Sequence, residues 1–249
     1  MWLAISSGLN RQRVIDFLLF GKAKPGSSEL VEGFFSCPDV KPYTFDPSIA
    51  KQLLEAAGWK LGSDGIRVKD GQRLRLKFQT TSGNKLREDS QVLMSEDMRA
   101  IGIELFIENA PSSVVLDTWE SGAEIKRGNF DIEMHTTGPV VDAHGRMFAL
   151  WHSTQIPTEK FKSGTNVTRF HNPKVDELLD KASLELESHK LKATYCQLAQ
   201  TLYDDASTIY LYARNSTNSR RVRVQGSVAG NIWRKVGWDA QNWWVHSSN

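Results

Sequence analysis

The sequence lacks several features that would assign it to a specialised class of protein. Its 249 residues include 31 basic and 29 acidic side chains, and the net charge of +2 gives no support for nucleic-acid binding. No run approaches the roughly 20 apolar residues that a membrane-spanning helix needs. The first residues show no charged stretch followed by an apolar core, so they do not read as a signal peptide. With 40% hydrophobic and 24% charged residues, the composition indicates a globular protein of one or two domains.

Cysteine is also scarce, with Cys37 and Cys196 as the two examples. A disulfide between them is one alternative, but we favour two buried or free thiols as the simpler expectation. Tryptophan, in contrast, is plentiful, and four of the 8 residues fall in the last stretch, at positions 233, 238, 243 and 244. Such aromatic density is typical of a core or an interface, with sugar stacking as the lesser alternative.

Motifs for catalysis are missing as well. The histidines do not show the H-x-x-x-H or H-E-x-x-H spacing of a helical metal site, and G-x-S-x-G, P-loop and dinucleotide fingerprints do not occur. We therefore expect a protein that is not an enzyme and uses neither a cofactor nor a metal. Two alternatives of other classes stay open: a metal-dependent hydrolase using Asp142, His144 and His152, and a sensor or chaperone module.

Hydrophobic periodicity predicts an α/β fold. Apolar residues at helical spacing predict helices over 5–20, 46–59, 84–100, 114–126, 172–186 and 189–205. Alternating apolar residues predict strands over 73–80, 103–107, 130–134 and 208–213, with a turn or short hairpin at 62–71. The order strand, helix, strand with short connections over 73–107 indicates a βαβ unit with parallel strands, and hence a mixed or mostly parallel sheet.

One segment, DPSIAKQLLEAAGW at Asp46–Trp59, contains a complete helix with both end signals. Asp46 suits the N-cap, Pro47 the first helical position and Gly58 the left-handed stop. This segment resembles a signature of the extracellular solute-binding proteins of family 5, the oligopeptide and dipeptide receptors of bacterial ABC importers. Further segments resemble the same family in the same order: LNRQRVIDFLLFGKAKP (9–25), IGIELFIENA (101–110), GNFDIEMHTTG (128–138), SGTNVTRFHNPKVDELLDKA (163–182) and IYLYARNSTNSRRVRVQGS (209–227).

The resemblance implies a lobe of the periplasmic-binding-protein-like II architecture, with a mixed β-sheet flanked by helices. Because the family's chain is about twice as long, residues 1–226 correspond to the second, C-terminal lobe. Residues 227–249 would then be a Trp-rich return segment that is short of its packing partner, the missing first lobe. The resemblance also implies an ABC permease as partner. The location would be periplasmic or at the cell surface, with a lipid anchor on the full-length protein as one form of attachment.

The resemblance further implies a solute held where two lobes close. A short peptide is the favoured class, and an oligosaccharide or a metal chelate is the alternative. Asp142 is the candidate for the peptide ammonium, and the alternative is that it caps a following helix. Arg87 is the candidate for the carboxylate, and the alternative is a surface pair with Glu88 or a neighbour of Asp89.

The remaining candidates follow the strand that the GNFDIEMHTTG segment predicts. Thr136, Thr137 and Gly138 would present backbone groups to the solute, unless they form a plain strand end. Arg146 and Trp151 would line the same cleft, and their alternative is ordinary helix surface and core.

Overall fold

The computed structural model describes residues 1–30, 35–138, 142–206, 208–215, 219–227 and 237–246. Its α-helices are α1 (Trp2–Gly8), α2 (Arg11–Leu19), α3 (Pro47–Ala56), α4 (Lys85–Ala100), α5 (Ser112–Val115), α6 (Glu124–Arg127), α7 (Ala143–Trp151), α8 (Pro173–Leu184) and α9 (Ser188–Asp204). Its strands are β1 (Ala23–Pro25), β2 (Lys60–Leu61), β3 (Arg67–Lys69), β4 (Gln72–Arg73), β5 (Arg75–Thr80), β6 (Glu104–Ile107), β7 (Ile132–Met134), β8 (Tyr212–Arg214), β9 (Val224–Gln225) and β10 (Trp244–Val245). Helices and sheets alternate along the chain, and this confirms the predicted α/β class.

A three-stranded parallel sheet in the order β6-β5-β7 organises the first core. Strand β5 pairs with β6 from Arg75 opposite Glu104, and with β7 from Phe78 opposite Ile132. One face of the sheet packs against α1, α3 and α4 through a cluster of buried apolar residues that includes Phe78 and Met98. The predicted βαβ unit, β5-α4-β6, is therefore confirmed, and β7 adds a second parallel neighbour.

The end signals read from the sequence act as predicted. The Asp46 carboxylate accepts hydrogen bonds from the backbone N–H groups of Ser48 and Ile49, and Gly58 takes a positive φ of 85° beyond the end of α3. The Asn84 side chain likewise accepts from the N–H of Arg87 at the start of α4. These caps satisfy donors that a helix cannot satisfy internally, so they fix where α3 and α4 begin.

The helix predicted over 5–20 is wrong, because the chain breaks between α1 and α2. Leu9 has an extended backbone, and the Asn10 side chain accepts from the N–H of Arg13, which starts a new helix. Arg11 is 4% exposed and donates to the carbonyl oxygens of Ser6 and Tyr210 at 2.8 and 2.6 Å. Its guanidinium thus joins the two short helices to the distant segment before β8, a contact that periodicity does not report.

Two other predicted elements are also corrected. The helix over 114–126 is two single turns, α5 and α6, because β-branched Val114 and Val115 and the pair Ser121-Gly122 are poor at propagating a helix. The strand over 208–213 is shorter and later than predicted: β8 pairs antiparallel with β1, with Lys24 opposite Ala213. The hairpin over 62–71 is confirmed as β2-β3-β4.

Helices α7, α8 and α9 form a second core, whose buried members include Met147, Leu178 and Leu198. Beside it, Cys37 and Cys196 form a disulfide with a Cα–Cα distance of 5.3 Å. The expectation of two free or buried thiols is therefore wrong. The sequence offered no local signal for the pairing, because 159 residues separate the two cysteines and folding alone brings them together.

The Trp-rich stretch is described only in part. Strand β10 pairs antiparallel with β9, and Trp238 and Trp244 are 40% and 51% exposed. Trp233 lies outside the described residues. A division at 226/227 and a missing packing partner for this stretch stay predictions. Among the described residues, the helices are too short or too polar to cross a membrane.

Candidate functional site

The carboxyl ends of β5, β6 and β7 lie at one edge of the parallel sheet. In open α/β sheets, ligands bind outside this edge, where the loops that follow the strands converge. The segments concerned are residues 81–84 after β5, 108–111 after β6 and 135–138 after β7. We call this the carboxyl edge. Most of the predicted site residues lie on it or immediately beyond it.

A network of amide and hydroxyl groups holds the three loops in place. Asn109 Oδ1 accepts hydrogen bonds from the backbone N–H of Thr80 and from Gln91 Nε2, each at 3.0 Å, and Asn109 Nδ2 returns a bond to Gln91 Oε1 at 2.8 Å. Thr80 Oγ1 donates to the carbonyl oxygen of Met134 at 2.6 Å. Because these bonds join all three strand ends and α4, the edge is pre-organised rather than loose.

Arg87 stands at the carboxyl end of β5. It lies in the first turn of α4, and its guanidinium donates to Thr81 Oγ1, while its Nε is buried with no hydrogen-bond partner. The surface pair considered as an alternative does not form, since Glu88 accepts from the N–H of Gly83 and Asp89 pairs with Lys85. The structure therefore places this cation at the edge, close to the start of a helix, where an anionic group is favoured.

Asp142 is the N-cap of α7, the helix that follows β7 in the chain. Its Oδ1 accepts from the backbone N–H of Gly145 at 3.0 Å, and the side chain is exposed. The capping alternative is thus realised, although capping uses one of the two carboxylate oxygens. Thr136, Thr137 and Gly138 are exposed and lie outside any regular strand, beyond the end of β7.

Helix α7 separates the two remaining candidates. Arg146 is half-buried, its Nε is buried without a hydrogen-bond partner, and its charge acts on Glu29 and His135. Trp151 is 2% exposed and packs edge-on against Phe170 with ring centroids 5.5 Å apart, inside the second core. The structure thus brings Arg146 close to the edge and assigns Trp151 to the core.

Two acidic residues near the edge were missed. Glu133 is on β7, its side chain is 3% exposed, and its Oε2 lies 2.6 Å from His135 Nδ1. This contact raises the pKa of His135 above its ordinary value. Burial raises the pKa of Glu29, and the charges of Arg146 and His135 oppose that shift. The spacing of two between Glu133 and His135 places both on one face of a strand and was a usable signal, whereas nothing local pointed to Glu29.

The hydrolase hypothesis has no geometric support in the described residues. His144 and His152 lie eight positions apart at opposite ends of α7, about 12 Å along the axis, so they do not share a metal with Asp142. Within the described ranges, no three His, Cys, Asp or Glu side chains converge as metal ligands.

Comparison with known proteins decides the family. The sequence model of the middle part of the bacterial extracellular solute-binding proteins, family 5, matches residues 3–158. The chain belongs to this family. Among curated relatives, the oligopeptide-binding protein AppA of Bacillus subtilis is 26% identical over 227 residues, which are 90% of this chain and 40% of AppA. The nickel-binding periplasmic protein of Escherichia coli is 26% identical over 213 residues, 84% of this chain and 38% of that protein.

Solved structures of similar proteins share the fold. The oligopeptide-binding protein of Thermus thermophilus, complexed with a pentapeptide, gives a TM-score of 0.80 at 26% identity, over 97% of this chain and 42% of that one. NikZ of Campylobacter jejuni, in complex with Ni(L-His), gives a TM-score of 0.79 at 22% identity, over 97% of this chain and 47% of NikZ. The fold is therefore periplasmic-binding-protein-like, as predicted, and the chain spans about two fifths of the length of the curated relatives named above.

Proposed function

We propose that this chain is one lobe of a two-lobe solute-binding protein that captures a short peptide outside the cytoplasm and delivers it to an ABC permease. Membership of family 5 supports a binding role rather than catalysis. The two-lobe arrangement is favoured because the chain covers 40% and 38% of the relatives named above. The carboxyl edge then faces the other lobe, and closure of the two lobes over the solute completes the site.

The distribution of charge along the carboxyl edge is the observation that supports a peptide. The guanidinium of Arg87 donates a hydrogen bond to Thr81 Oγ1, just after β5. The carboxylate of Asp142 lies at the start of α7, the helix that follows β7 in the chain. A free peptide carries an ammonium at one end and a carboxylate at the other, so it complements a site that presents both a cation and an anion. Thr136, Thr137 and Gly138 lie exposed before Asp142, where their backbone groups suit a peptide strand.

A metal chelate is the second candidate solute. His135 lies at the edge with its side chain 42% exposed, and two of the similar proteins are described by their nickel ligands. The oligosaccharide alternative gains less at the carboxyl edge, because the cleft candidate Trp151 is buried in the second core and offers no open stacking surface there. One similar structure, from Thermotoga maritima, is nevertheless described with bound mannohexaose.

The disulfide supports a location outside the cytoplasm. Disulfides persist in the periplasm and at the cell surface and are rare where thioredoxin and glutathione keep thiols reduced. The Cys37–Cys196 bond therefore agrees with the compartment in which family 5 proteins act. Attachment of the full-length protein by a lipid anchor is part of the proposal.

Calorimetry with the two-lobe protein tests the proposal. We expect short peptides to bind, and the exchange Asp142→Asn to weaken binding by about 2–5 kcal/mol if the carboxylate pairs with a desolvated ammonium. Asp64→Asn is the matched control, because Asp64 lies in the hairpin before the amino end of β5 and pairs with Arg73. The isolated 249-residue chain should show no micromolar binding. Tight binding by the isolated chain, or a loss under about 0.5 kcal/mol on Asp142→Asn, would contradict the half-site arrangement or the role of Asp142.

A further inference from the structure

A group of buried polar atoms lies beside the carboxyl edge, on the face of the sheet opposite the first core. Gln79 of β5 stands directly opposite Glu133 of β7, and the two side chains are on the same face. Gln79 is fully buried, and neither its amide oxygen nor its amide nitrogen has a hydrogen-bond partner. Glu133 Oε1 is buried and unbonded as well. Buried polar atoms are nearly always hydrogen-bonded, so adjacent unbonded atoms indicate a partner that is still to bind.

Three separate elements supply charged groups to this place. Glu133 and His135 come from β7 and the residue after it, Arg146 comes from α7, and Glu29 comes from the segment after β1. Burial raises the pKa of Glu29, and the charges of Arg146 and His135 lower it, so these groups interact electrostatically. Glu133 and His135 are in direct contact, and the charges of Glu29 and Arg146 act on this pair.

His135 is the outermost member of the group. Its side chain is 42% exposed, whereas that of its partner Glu133 is 3% exposed. The imidazole therefore stands between solvent and the buried carboxylate, with its Nδ1 held at 2.6 Å from Glu133 Oε2. A basic side chain that donates to Glu133 Oε2 therefore competes with this ring for the carboxylate.

We propose that Glu133 is a specificity-determining residue that selects solutes with a basic side chain, and that His135 is the internal counter-cation that such a side chain replaces. The inference rests on the proposed function, because it requires a solute held at the carboxyl edge. Asp142 and Arg87 would hold the two ends of the peptide, and the buried group would distinguish one peptide from another. When the ammonium or guanidinium of the side chain donates to the Glu133 carboxylate, the imidazolium proton of His135 passes to solvent.

The exchange of one cation for another makes binding depend on pH. The groups that face His135 are Glu133, Glu29 and Arg146, and the hydrogen bond from Glu133 raises the pKa of the imidazole. Below that raised pKa, the imidazolium competes with a basic side chain for the Glu133 carboxylate. Above it, the ring is neutral and competition ends, so affinity for a basic peptide should rise with pH.

The test compares trilysine with tri(Nε-acetyllysine) on the two-lobe protein, by calorimetry. The two peptides share length and both termini and differ in side-chain charge. We expect the unmodified protein to prefer trilysine by about tenfold or more, and Glu133→Gln to abolish the preference. From pH 5.5 to 8, affinity for trilysine should rise several-fold in the unmodified protein and stay level in His135→Gln. The acetylated peptide should show little change with pH in both proteins.

Two control variants make the outcomes separable. His189→Gln removes an exposed histidine that pairs with Glu187 at 3.5 Å on α9, and it should leave preference and pH dependence unchanged. Asp142→Asn should weaken both peptides alike. If both peptides bind and Glu133→Gln retains the preference, the inference is wrong while the proposed function stands. If neither peptide binds the unmodified protein, the proposed peptide-binding function fails and the inference fails with it.

Discussion

Reduction of the Cys37–Cys196 disulfide is expected to destabilise this fold by about 5 kcal/mol. The bond closes a loop with a sequence separation of 159. In the chain-entropy relation, a loop of that length costs the unfolded chain about 17 cal/mol/K, or about 5 kcal/mol at 25 °C. Cys37 is 6% exposed and packs with Val40 and Ala199, so reduction leaves the apolar contacts in place and removes mainly the cross-link.

Urea unfolding of the same protein, with and without a strong reductant, measures this difference. For an m-value of about 2–3 kcal/mol/M, the midpoint should fall by about 2 M on reduction. The double variant Cys37→Ser with Cys196→Ser is the control, because its midpoint should be low in both conditions and insensitive to reductant. A shift under about 0.3 M in the unmodified protein, or two alkylatable thiols in unreduced protein, would refute the reasoning.

Three further predictions concern stability. Gly102→Ala should lower the free energy of unfolding by about 2–3 kcal/mol, because φ is +92° and a Cβ would lie 2.7 Å from Arg67 Cγ. Gly83→Ala is the control: φ is +86° but the space around a Cβ is open, so the free energy of unfolding should fall by about 1 kcal/mol. Arg67→Met should lower the free energy of unfolding in urea by about 3–5 kcal/mol, because the Arg67 side chain is 2% exposed and donates to the carbonyl oxygens of Ile101 and Trp59. A decrease of less than about 1 kcal/mol would contradict this role of Arg67. The pKa of His135 is raised in the folded protein, so its pair with Glu133 stabilises the fold fully below about pH 6.5, the pKa of an unfolded histidine. This stabilisation is lost as the pH rises through the raised pKa. The urea midpoint of His135→Gln should therefore approach that of the unmodified protein once the pH exceeds the raised pKa.

Local signals predicted the parts of the fold that are decided locally. The ends of α3 and α4 follow from Asp46 and Asn84, whose side chains cap the chain a few residues away. Periodicity also predicted β5, α4 and β6 and their parallel order, since a helix that joins two strands of one sheet leaves little choice of topology. The break at Asn10 was missed because the apolar positions of α1 and α2 continue one pattern across it.

Residues of the candidate site could be predicted from the sequence only where they lie in or near a segment that resembles a family motif. Asp142 and Arg87 were named from the resemblance; Arg87 contacts Thr81 after β5 and Asp142 caps α7, and their roles in binding stay predictions. Glu29 was not named, because it reaches the edge from a segment more than 100 residues away from Glu133 and His135. Trp151 was named for its residue type, although its position on the inner side of α7 assigns it to the core.

Native mass spectrometry of the two-lobe protein, purified without denaturation, tests the central claim most directly. The account predicts that the protein carries a mixture of short peptides, which are released and identified on unfolding, and that the 249-residue chain alone carries none. A bound sugar or metal complex in place of peptides would contradict the peptide assignment and remove the ammonium-binding role of Asp142. Peptides retained by the isolated chain would contradict the two-lobe site itself.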